Sequence, residues 1–264
     1  MRRAAHQLLD RPKVFDDPLA VAIVGGEPEI IADADGSSDN LRAFVAVRSR
    51  YAEDELAKAV EAGVRQYVVL GAGLDTFAFR NPHAGLGLRV FEVDHPSTQG
   101  WKLEQVEAAG IRVPAEATFV PIDFEREPLG QGLEAAGFSR GESAFFSWLG
   151  VVPYLSEQAF TATLEFIALT GPSSGVVFDY GVSRSALTPS EQIAMDALAR
   201  RVASAGEPLR LFFEPHKLAG RLGELGFRHV RDLDSAEINA RYFADRADGL
   251  RLRGGLGRLL SARV

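Results

Sequence analysis

The chain has 264 residues, with 29 Lys or Arg against 36 Asp or Glu, and a formal net charge of −7. An acidic chain without a basic run has no electrostatic attraction for nucleic acid, so no nucleic-acid partner is expected. The absence of cysteine excludes disulfides, thiolate metal ligands and a cysteine nucleophile. The five histidines lack metal-ligand spacing, so no metal is expected either.

The start of the chain shows no targeting signal. Polar residues His6, Gln7 and Asp10 stand where a signal peptide would have an apolar run, and no apolar stretch is long enough to cross a bilayer. We therefore expect a cytoplasmic protein with no membrane partner. The length and an ordinary hydrophobic content of 46% indicate a single domain spanning residues 1–264.

The pattern of residues 1–62 predicts a helical cover within that domain. Asp17 and Pro18 indicate a helix start, with Asp17 as the N-cap and Pro18 in the first turn. Residues 31–40 are polar and predict an exposed loop, and a long amphipathic helix is predicted over residues 40–62. Apolar helices between such breaks can close over a ligand and reopen, which predicts a lid over the substrate end.

A strand, a glycine turn and a helix follow one another directly after this cover. Residues 67–70 are apolar and rich in β-branched side chains, which predicts a buried strand. Gly71, Ala72 and Gly73 come next, and Asp75 can cap the helix that follows. Glycines at this point of a doubly wound sheet let the backbone approach a ligand closely.

Acidic side chains mark the tip of the next predicted strand. The apolar run 88–91 leads into Glu92 and Asp94, about twenty residues beyond the glycines. In doubly wound sheets this spacing brings a carboxylate to a ribose diol. The sequence therefore predicts an α/β fold with a nucleoside-containing ligand. The alternative is that the glycines only make a tight turn.

Two residues bear on which nucleoside is bound. Thr76 stands where a dinucleotide fold has its third glycine, and Asp75 brings negative charge to the place of a pyrophosphate. An NAD(P)-linked oxidoreductase is therefore disfavoured, and the chain has no Tyr-x-x-x-Lys pair. S-adenosyl-L-methionine (SAM), which carries a sulfonium cation, suits a loop ringed by carboxylates. A nucleoside-binding module without catalytic turnover stays open as a second alternative.

The rest of the chain alternates strands and helices. Further strands are predicted over residues 117–122, 143–148, 174–180, 230–233 and 259–264. Helix starts are predicted at Pro96, Ser156, Pro189 and Pro215. This alternation is typical of a mostly parallel sheet with helices on both faces.

The chain resembles the leucine carboxyl methyltransferase family in its broad sense, which includes bacterial SAM-dependent O-methyltransferases. The resemblance lies in the segments GAGLDTFAFR, FEVDHPSTQGWK, VPIDF and SWLGVVPYLS. VFDDPLA near the start and RYFADRADGLR near the end extend it over nearly the whole chain. It implies a Rossmann-like class I methyltransferase sheet, mostly parallel with the last strand antiparallel, and SAM as the cofactor without a metal.

The resemblance also implies cofactor contacts. Arg50 would pair with the methionyl carboxylate, a task that Arg suits better than Lys. The alternative is an Arg50–Asp54 pair on a solvated helix face. Asp123 and Phe124, just past the third strand, would bracket the adenine. The alternative for Asp123 is a capping role at the next helix.

The block after the fourth strand is expected to face the reacting end of the cofactor. Trp148 and Leu149 are assigned to the cofactor there, and Leu149 replaces the Glu of protein-leucine enzymes, which disfavours a protein tail as substrate. Tyr154 is the candidate for a substrate-pocket hydroxyl, with simple packing as the alternative. His95, beside Asp94, is a candidate base, with a structural or cofactor-side role as the alternative.

The expected acceptor is a small, partly apolar or aromatic molecule that takes the methyl group on a hydroxyl or carboxylate oxygen, as in natural-product pathways. Arg184 and Arg241 are candidates to hold an acceptor carboxylate. A phenol would instead need His95 or Asp179 to take its proton. The sequence leaves the acceptor group open, and a homodimer remains open as the assembly state.

Overall fold

The computed structural model describes residues 1–35, 39–204, 206 and 208–264. Its centre is an eight-stranded sheet. The strands are β1 (Gln66–Leu70), β2 (Arg89–Asp94), β3 (Ala117–Pro121), β4 (Ala144–Trp148), β5 (Gly175–Val182), β6 (Phe212–Phe213), β7 (His229–Leu233) and β8 (Gly257–Arg263). Their order is β3-β2-β1-β4-β5-β8-β7, and the short β6 pairs with the end of β5.

One strand of the described sheet runs against the others. β8 pairs antiparallel with β5 on one side and with β7 on the other, whereas the remaining pairs are parallel. The predicted sheet, mostly parallel with an antiparallel last strand, is therefore confirmed. The strand order reverses between β1 and β4, and doubly wound sheets bind their ligands in the crevice outside the carboxyl ends of such strands.

β1 is apolar along its whole length because both faces of the sheet are covered. All five of its residues are buried. Val68 and Leu70 belong to the core on one face, while Tyr67 and Val69 belong to the core on the other. Two-sided burial explains why the sequence shows a continuous apolar run here instead of an alternating pattern.

Eleven α-helices surround the sheet in the described part of the chain. They are α1 (Arg2–Leu9), α2 (Ala20–Val24), α3 (Pro28–Asp35), α4 (Asp39–Glu61), α5 (Phe77–Arg80), α6 (Pro96–Ala108), α7 (Leu129–Ala135), α8 (Glu157–Ala168), α9 (Pro189–Ser204), α10 (Pro215–Glu224) and α11 (Ser235–Tyr242). Helices α7, α8 and α10 pack on one face of the sheet, and α4, α5 and α11 pack on the other.

The helical cover differs from the prediction at two places. α2 begins at Ala20, and its N-cap is Leu19 without a side-chain bond, so the predicted start at Asp17 was wrong. The predicted loop over residues 31–40 was wrong for residues 31–35, which belong to α3, and for Asp39, which begins α4. Ile31 is only 1% exposed because it packs in a small core with α1 and α2, and this burial favours the helix. Residues 36–38 lie outside the described residues.

A buried polar chain joins α1 to α4. Nδ1 of His6 lies 2.7 Å from Asp10, and Nε and Nη2 of Arg42 donate to the same carboxylate at 2.9 and 3.0 Å. Nε2 of His6 accepts the backbone N–H groups of Val14 and Phe15, so the ring proton directed at Asp10 is on Nδ1. Burial alone would raise the pKa of Asp10, but the His6 and Arg42 hydrogen bonds outweigh it and lower the pKa to about 2.

The substitution Asp10→Asn should make the free energy of unfolding less dependent on pH in the acidic range. Because the pKa of Asp10 is lower in the folded chain than its ordinary value of 3.8, its charge stabilises the fold above that value, and the contribution is lost as the pH falls towards the folded pKa. The gap in unfolding free energy between wild type and D10N should narrow by about 2 kcal/mol between about pH 5 and pH 2 in denaturant titrations. Asp16→Asn removes an ion pair whose carboxylate is 72% exposed, and is the control. A gap that stays constant for D10N would contradict this role of the charge.

Candidate functional site

A cavity of about 360 Å³ opens at the carboxyl ends of β1 and β4, within the size range of small-molecule sites. We call it the crevice cavity. The sheet supplies its floor, and helices α1, α2 and α4 supply the opposite wall. Its lining includes Met1, Arg2, Arg3, Ala4, Ala20, Ile23, Val24, Val45, Arg48, Ser49, Val69, Leu70, the loop 71–75, Ser147 and Leu149.

The backbone conformation of the glycine loop requires a glycine at its first position, residue 71. Gly71 has a φ of +67°, and a Cβ there would lie 2.3 Å from Cγ2 of Val151. The N–H groups of Gly71 and Ala72 both donate to the carbonyl of Val93, at 2.8 and 3.1 Å. Gly73 also has a positive φ, +47°, but no atom lies within 4 Å of the place of its Cβ. Only Gly71 is therefore closed in by the loop that follows β4.

The acidic tip of β2 lies against this loop. Oδ2 of Asp94 accepts the N–H of Gly73 at 2.5 Å, and Oδ1 accepts the N–H of His95 at 2.7 Å. The structure thus brings together the two features that the sequence placed about twenty residues apart. His95 caps α6 by accepting the N–H of Ser97 at 3.2 Å and is absent from the cavity lining, which supports its structural alternative.

Asp75 supplies a fixed negative charge beside the cavity. Its carboxylate accepts the N–H of Phe77 at 2.8 Å and pairs with Nη1 of Arg3 at 2.8 Å. Burial alone would raise the pKa of Asp75, but the positive charges of Arg3, Lys102 and Arg80 outweigh it, so the pKa is lowered. The N-cap of the short helix α5 is Thr76, so the predicted capping position of Asp75 was wrong by one residue, although its carboxylate does accept the N–H of the first helical residue. The lowered pKa keeps Asp75 ionised, which makes it a poor proton acceptor.

Arg3 is a site residue that sequence reasoning missed. Besides Asp75, it pairs through Nε with Asp17 at 2.9 Å, and Nη2 donates to the carbonyl of Leu74. These contacts hold the start of α1 on the glycine loop. Nothing local in the sequence could have indicated this, since the partners lie more than seventy residues away along the chain at Leu74 and Asp75.

The predicted role of Arg50 is not supported by its position. Nε of Arg50 donates to Asp54 at 2.7 Å, and the side chain is 50% exposed, as in the alternative of a solvated pair. Arg48, two residues earlier, lines the cavity instead. Each residue of a helix turns by about 100°, so residues two apart lie on nearly opposite faces. Of the two arginines, Arg48 is therefore the one that faces the cavity.

Asp179 holds Arg48 and the loop after β4 together. Oδ2 of Asp179 lies 3.1 Å from Nη1 of Arg48, and Oδ1 accepts the N–H of Gly150 at 2.6 Å. A Cβ at Gly150 would lie 2.6 Å from Nη2 of Arg48, so the guanidinium packs directly on this glycine. Both oxygens of Asp179 are engaged, which disfavours its predicted use as a base.

Two predicted cofactor residues are buried in the core instead of lining the cavity. Glu92 is fully buried and pairs with Lys102 at 2.6 Å, and burial raises the pKa of Glu92 to about 7. Trp148 is also fully buried and stacks on Phe160 of α8, with ring centroids 5.6 Å apart. Neither side chain could contact a ligand in the cavity without rearrangement.

Asp123 and Phe124, which follow β3, do not line the crevice cavity. Asp123 accepts the N–H of Glu125 at 3.0 Å and lies 3.5 Å from Arg126, so it organises its own loop. Phe124 lines a second cavity, of about 570 Å³, between α7 and α8. This cavity is larger than the crevice cavity but shares no lining residue with it. The proposed bracketing of adenine by Asp123 and Phe124 stays a prediction.

The predicted acceptor residues do not line the crevice cavity. Arg184 is exposed and lies 3.3 Å from Asp196. Arg241 lies against the rings of Tyr51 and Tyr242, at 5.3 and 5.0 Å from the ring centroids. Both predictions used position along the chain, which does not fix where a side chain points.

Tyr154 and Leu149 complete the predicted set. Tyr154 ends a 3₁₀ turn, Val152–Tyr154, is 36% exposed and is absent from the cavity lining. Leu149 does line the cavity, and its contact with the cofactor stays a prediction.

Within the residues that the structure describes, no group of three or more His, Asp or Glu side chains is placed to hold a metal ion. The helices of this part of the chain also include none with the length and hydropathy of a transmembrane span.

A glycine loop, an acidic strand tip and a reversal of strand order at one crevice define the class of doubly wound proteins that bind nucleoside-containing ligands. A sequence profile of the leucine carboxyl methyltransferase family matches residues 1–168. This match covers more than half of the 264 residues, and the chain belongs to that family.

Relatives and solved structures agree with this membership. YktD of Bacillus subtilis (strain 168) is 29% identical over 94% of this chain and 90% of its own length. Franean1_4929 of Parafrankia sp. (strain EAN1pec) is 36% identical over 87% of this chain and 74% of its own length. Both are assigned by name to the SAM-dependent methyltransferases. The crystal structure of a DUF574 family protein from Streptomyces avermitilis MA-4680 shares the fold, with a TM-score of 0.60, 20% identity and 99% coverage of both chains.

The protein is a SAM-dependent methyltransferase with a Rossmann-like fold. The oxidoreductase and the non-catalytic module are not favoured.

Gly71→Ala should weaken SAM binding. The new Cβ would meet Val151 in a backbone conformation that L-residues rarely adopt, so the loop would have to shift where it lines the cavity. We expect this shift to lower the affinity about tenfold, which corresponds to about 1.4 kcal/mol of binding free energy. Titration calorimetry with SAM measures the change. Gly63→Ala, which has a φ of +100° but open space at its Cβ, is the matched control and should bind SAM normally. Equal affinities for all three proteins would mean that the Gly71–Val151 contact does not shape the cavity.

Proposed function

We propose that the protein transfers the methyl group of SAM to the carboxylate oxygen of a small, partly apolar acid. The observation that carries this proposal is the chemistry of the crevice cavity, whose described lining holds three arginines but no carboxylate or imidazole that is available as a base. Acids from natural-product pathways are the first acceptors to examine.

The residues present fit the cofactor. SAM carries a ribose diol, an amino-acid carboxylate and a methyl group on a positively charged sulfur, which is reactive towards nucleophiles. Asp94 is itself absent from the lining, but its carboxylate bonds to Gly73, which does line the cavity, and it would hold the diol from that position. Arg48 would hold the carboxylate, since its guanidinium is steadied by Asp179 on the cavity wall. Asp75 would favour the positive charge of the sulfonium.

The absence of an available base around the cavity favours an acceptor that arrives ionised. Asp75 is tied to Arg3, Asp179 is tied to Arg48 and Gly150, and His95 caps α6. A carboxylic acid is already deprotonated at neutral pH and needs no proton removed. A phenol or alcohol would need such a base, so we place hydroxyl acceptors second.

The contribution of the protein is then positioning and the exclusion of water. Helices α1, α2 and α4 cover the cavity opposite the sheet, and Leu149, Ile23 and Val24 give its wall apolar surface. Holding nucleophile and methyl group in line in a dry site accelerates a displacement without proton transfer. The apolar wall supports a small acceptor instead of a protein tail.

Arg48→Ala is expected to raise the dissociation constant of SAM. Losing a hydrogen-bonded charge pair costs about 1.5–3 kcal/mol, which corresponds to roughly tenfold or more in affinity. Arg50→Ala is the matched control because Arg50 lies on the exposed face with Asp54. Calorimetry should show weaker binding for R48A alone. Weaker binding for R50A alone would return the role to Arg50.

Methylation of carboxylic acids should be nearly independent of pH. With labelled SAM and a panel of small acids, each paired with its amide and with a phenol of similar size, we expect transfer to the acids and none to the amides. The rate with an acid should stay flat between about pH 6 and pH 9, because its carboxylate is ionised throughout. Transfer to phenols alone, rising with pH, would refute the carboxylate proposal.

A further inference from the structure

We propose that Ser147 contacts the cofactor by donating its hydroxyl proton to the amino-acid carboxylate, and that Tyr67, buried beneath it, is a positioning residue that directs this proton. The proposal rests on the function proposed above, in which Arg48 holds the same carboxylate.

Ser147 lies on the floor of the crevice cavity. It is the penultimate residue of β4 and pairs in register with Val69 of β1, so it stands at the point where the strand order reverses. The residue is 2% exposed, and it lines the cavity. Arg48 of α4 lines the same cavity from the opposite wall.

Tyr67 has a single polar contact for its hydroxyl. The residue is 3% exposed, and its ring lies edge-on to Phe77 and tilted against Phe145. Its hydroxyl lies 2.7 Å from Oγ of Ser147. No other side chain or backbone group in the described part of the chain bonds to it.

The apolar surroundings of Tyr67 decide whether Tyr67 or Ser147 donates the hydrogen bond between them. If Ser147 donated to Tyr67, the phenol proton would be buried among rings without an acceptor, which is costly. Tyr67 therefore donates to Ser147. Burial raises the pKa of Tyr67 well above its usual value of 10, so the phenol keeps its proton at any working pH.

The hydroxyl proton of Ser147 is therefore not used in the bond to Tyr67 and can be donated to another acceptor. A serine hydroxyl has one donor, and its oxygen already accepts from Tyr67. Within the described residues, Ser147 Oγ has no second protein partner, so a ligand in the cavity is the acceptor that can complete it. A carboxylate offers about four acceptor positions, enough for Ser147 and Arg48 together.

Two cofactor-derived ligands test this contact without any methyl acceptor. S-adenosylhomocysteine carries the amino-acid carboxylate, whereas 5′-methylthioadenosine lacks the whole amino-acid end. In titration calorimetry, Ser147→Ala should weaken the binding of S-adenosylhomocysteine about tenfold, or by about 1.4 kcal/mol. The affinity for methylthioadenosine should stay unchanged. Tyr67→Phe should weaken the binding of S-adenosylhomocysteine by a smaller factor. Ser147→Thr keeps a hydroxyl and should therefore recover most of the affinity that Ser147→Ala loses.

Tyr180→Phe is the matched control, because it removes another buried phenol, which bonds Asp232 instead. Y180F should bind both ligands as wild type does. Equal weakening of both ligands by S147A would indicate a purely structural role and overturn the proposal, as would unchanged binding.

The same titrations separate this proposal from the one on which it rests. If R48A loses the preference for S-adenosylhomocysteine while S147A keeps it, the contact to Ser147 is refuted alone. If wild type shows no preference for that ligand, the carboxylate site at Arg48 and the contact to Ser147 both fail.

Discussion

The crevice cavity depends on a buried ionic network that holds the helical cover on the glycine loop. Asp17 is fully buried, and Nε of Arg3 lies 2.9 Å from it while Nε of Arg80 lies 3.5 Å from it. The hydroxyl of Thr76 donates to the same carboxylate at 2.7 Å. A charge so deeply buried is tolerated only with well-placed partners, and removing one partner is strongly destabilising. The helical wall of the cavity and the glycine loop are therefore parts of one electrostatic unit.

This network limits how the cover can move. Nη1 of Arg80 also donates to Glu53 of α4 at 2.9 Å, so α1, α4 and α5 are joined through three acidic side chains, Asp17, Glu53 and Asp75. Burial raises the pKa of Glu53 in spite of its bond to Arg80. A lid built from α1 would have to break pairs inside a poorly solvated region, whereas movement of the outer helices α2 and α3 leaves most of the pairs intact.

The strands and the glycine loop could be predicted from sequence because their signals are local. An apolar run, two glycines and an acidic tip are read within about thirty residues. Arg48 and Arg50 could not be distinguished, because Arg42, Arg48 and Ser49 turn polar groups inward and blur the apolar stripe of α4. Arg241 was misplaced because its partners, Tyr51 and Glu55, lie far away in sequence. The orientation of a long side chain is decided by such distant partners, which a single sequence does not reveal.

The burial of successive elements implies a wide range of opening rates within one chain. Every residue of β5 except Gly181 is buried, and the strand has neighbours on both sides, so its amides should exchange with solvent only when the whole sheet unfolds. The next long helix, α9, has sixteen residues and buries only Met195. Its detachment would expose little apolar surface, so α9 can melt and reform many times during the lifetime of the folded sheet. A protease would therefore cut α9 long before it reached the crevice.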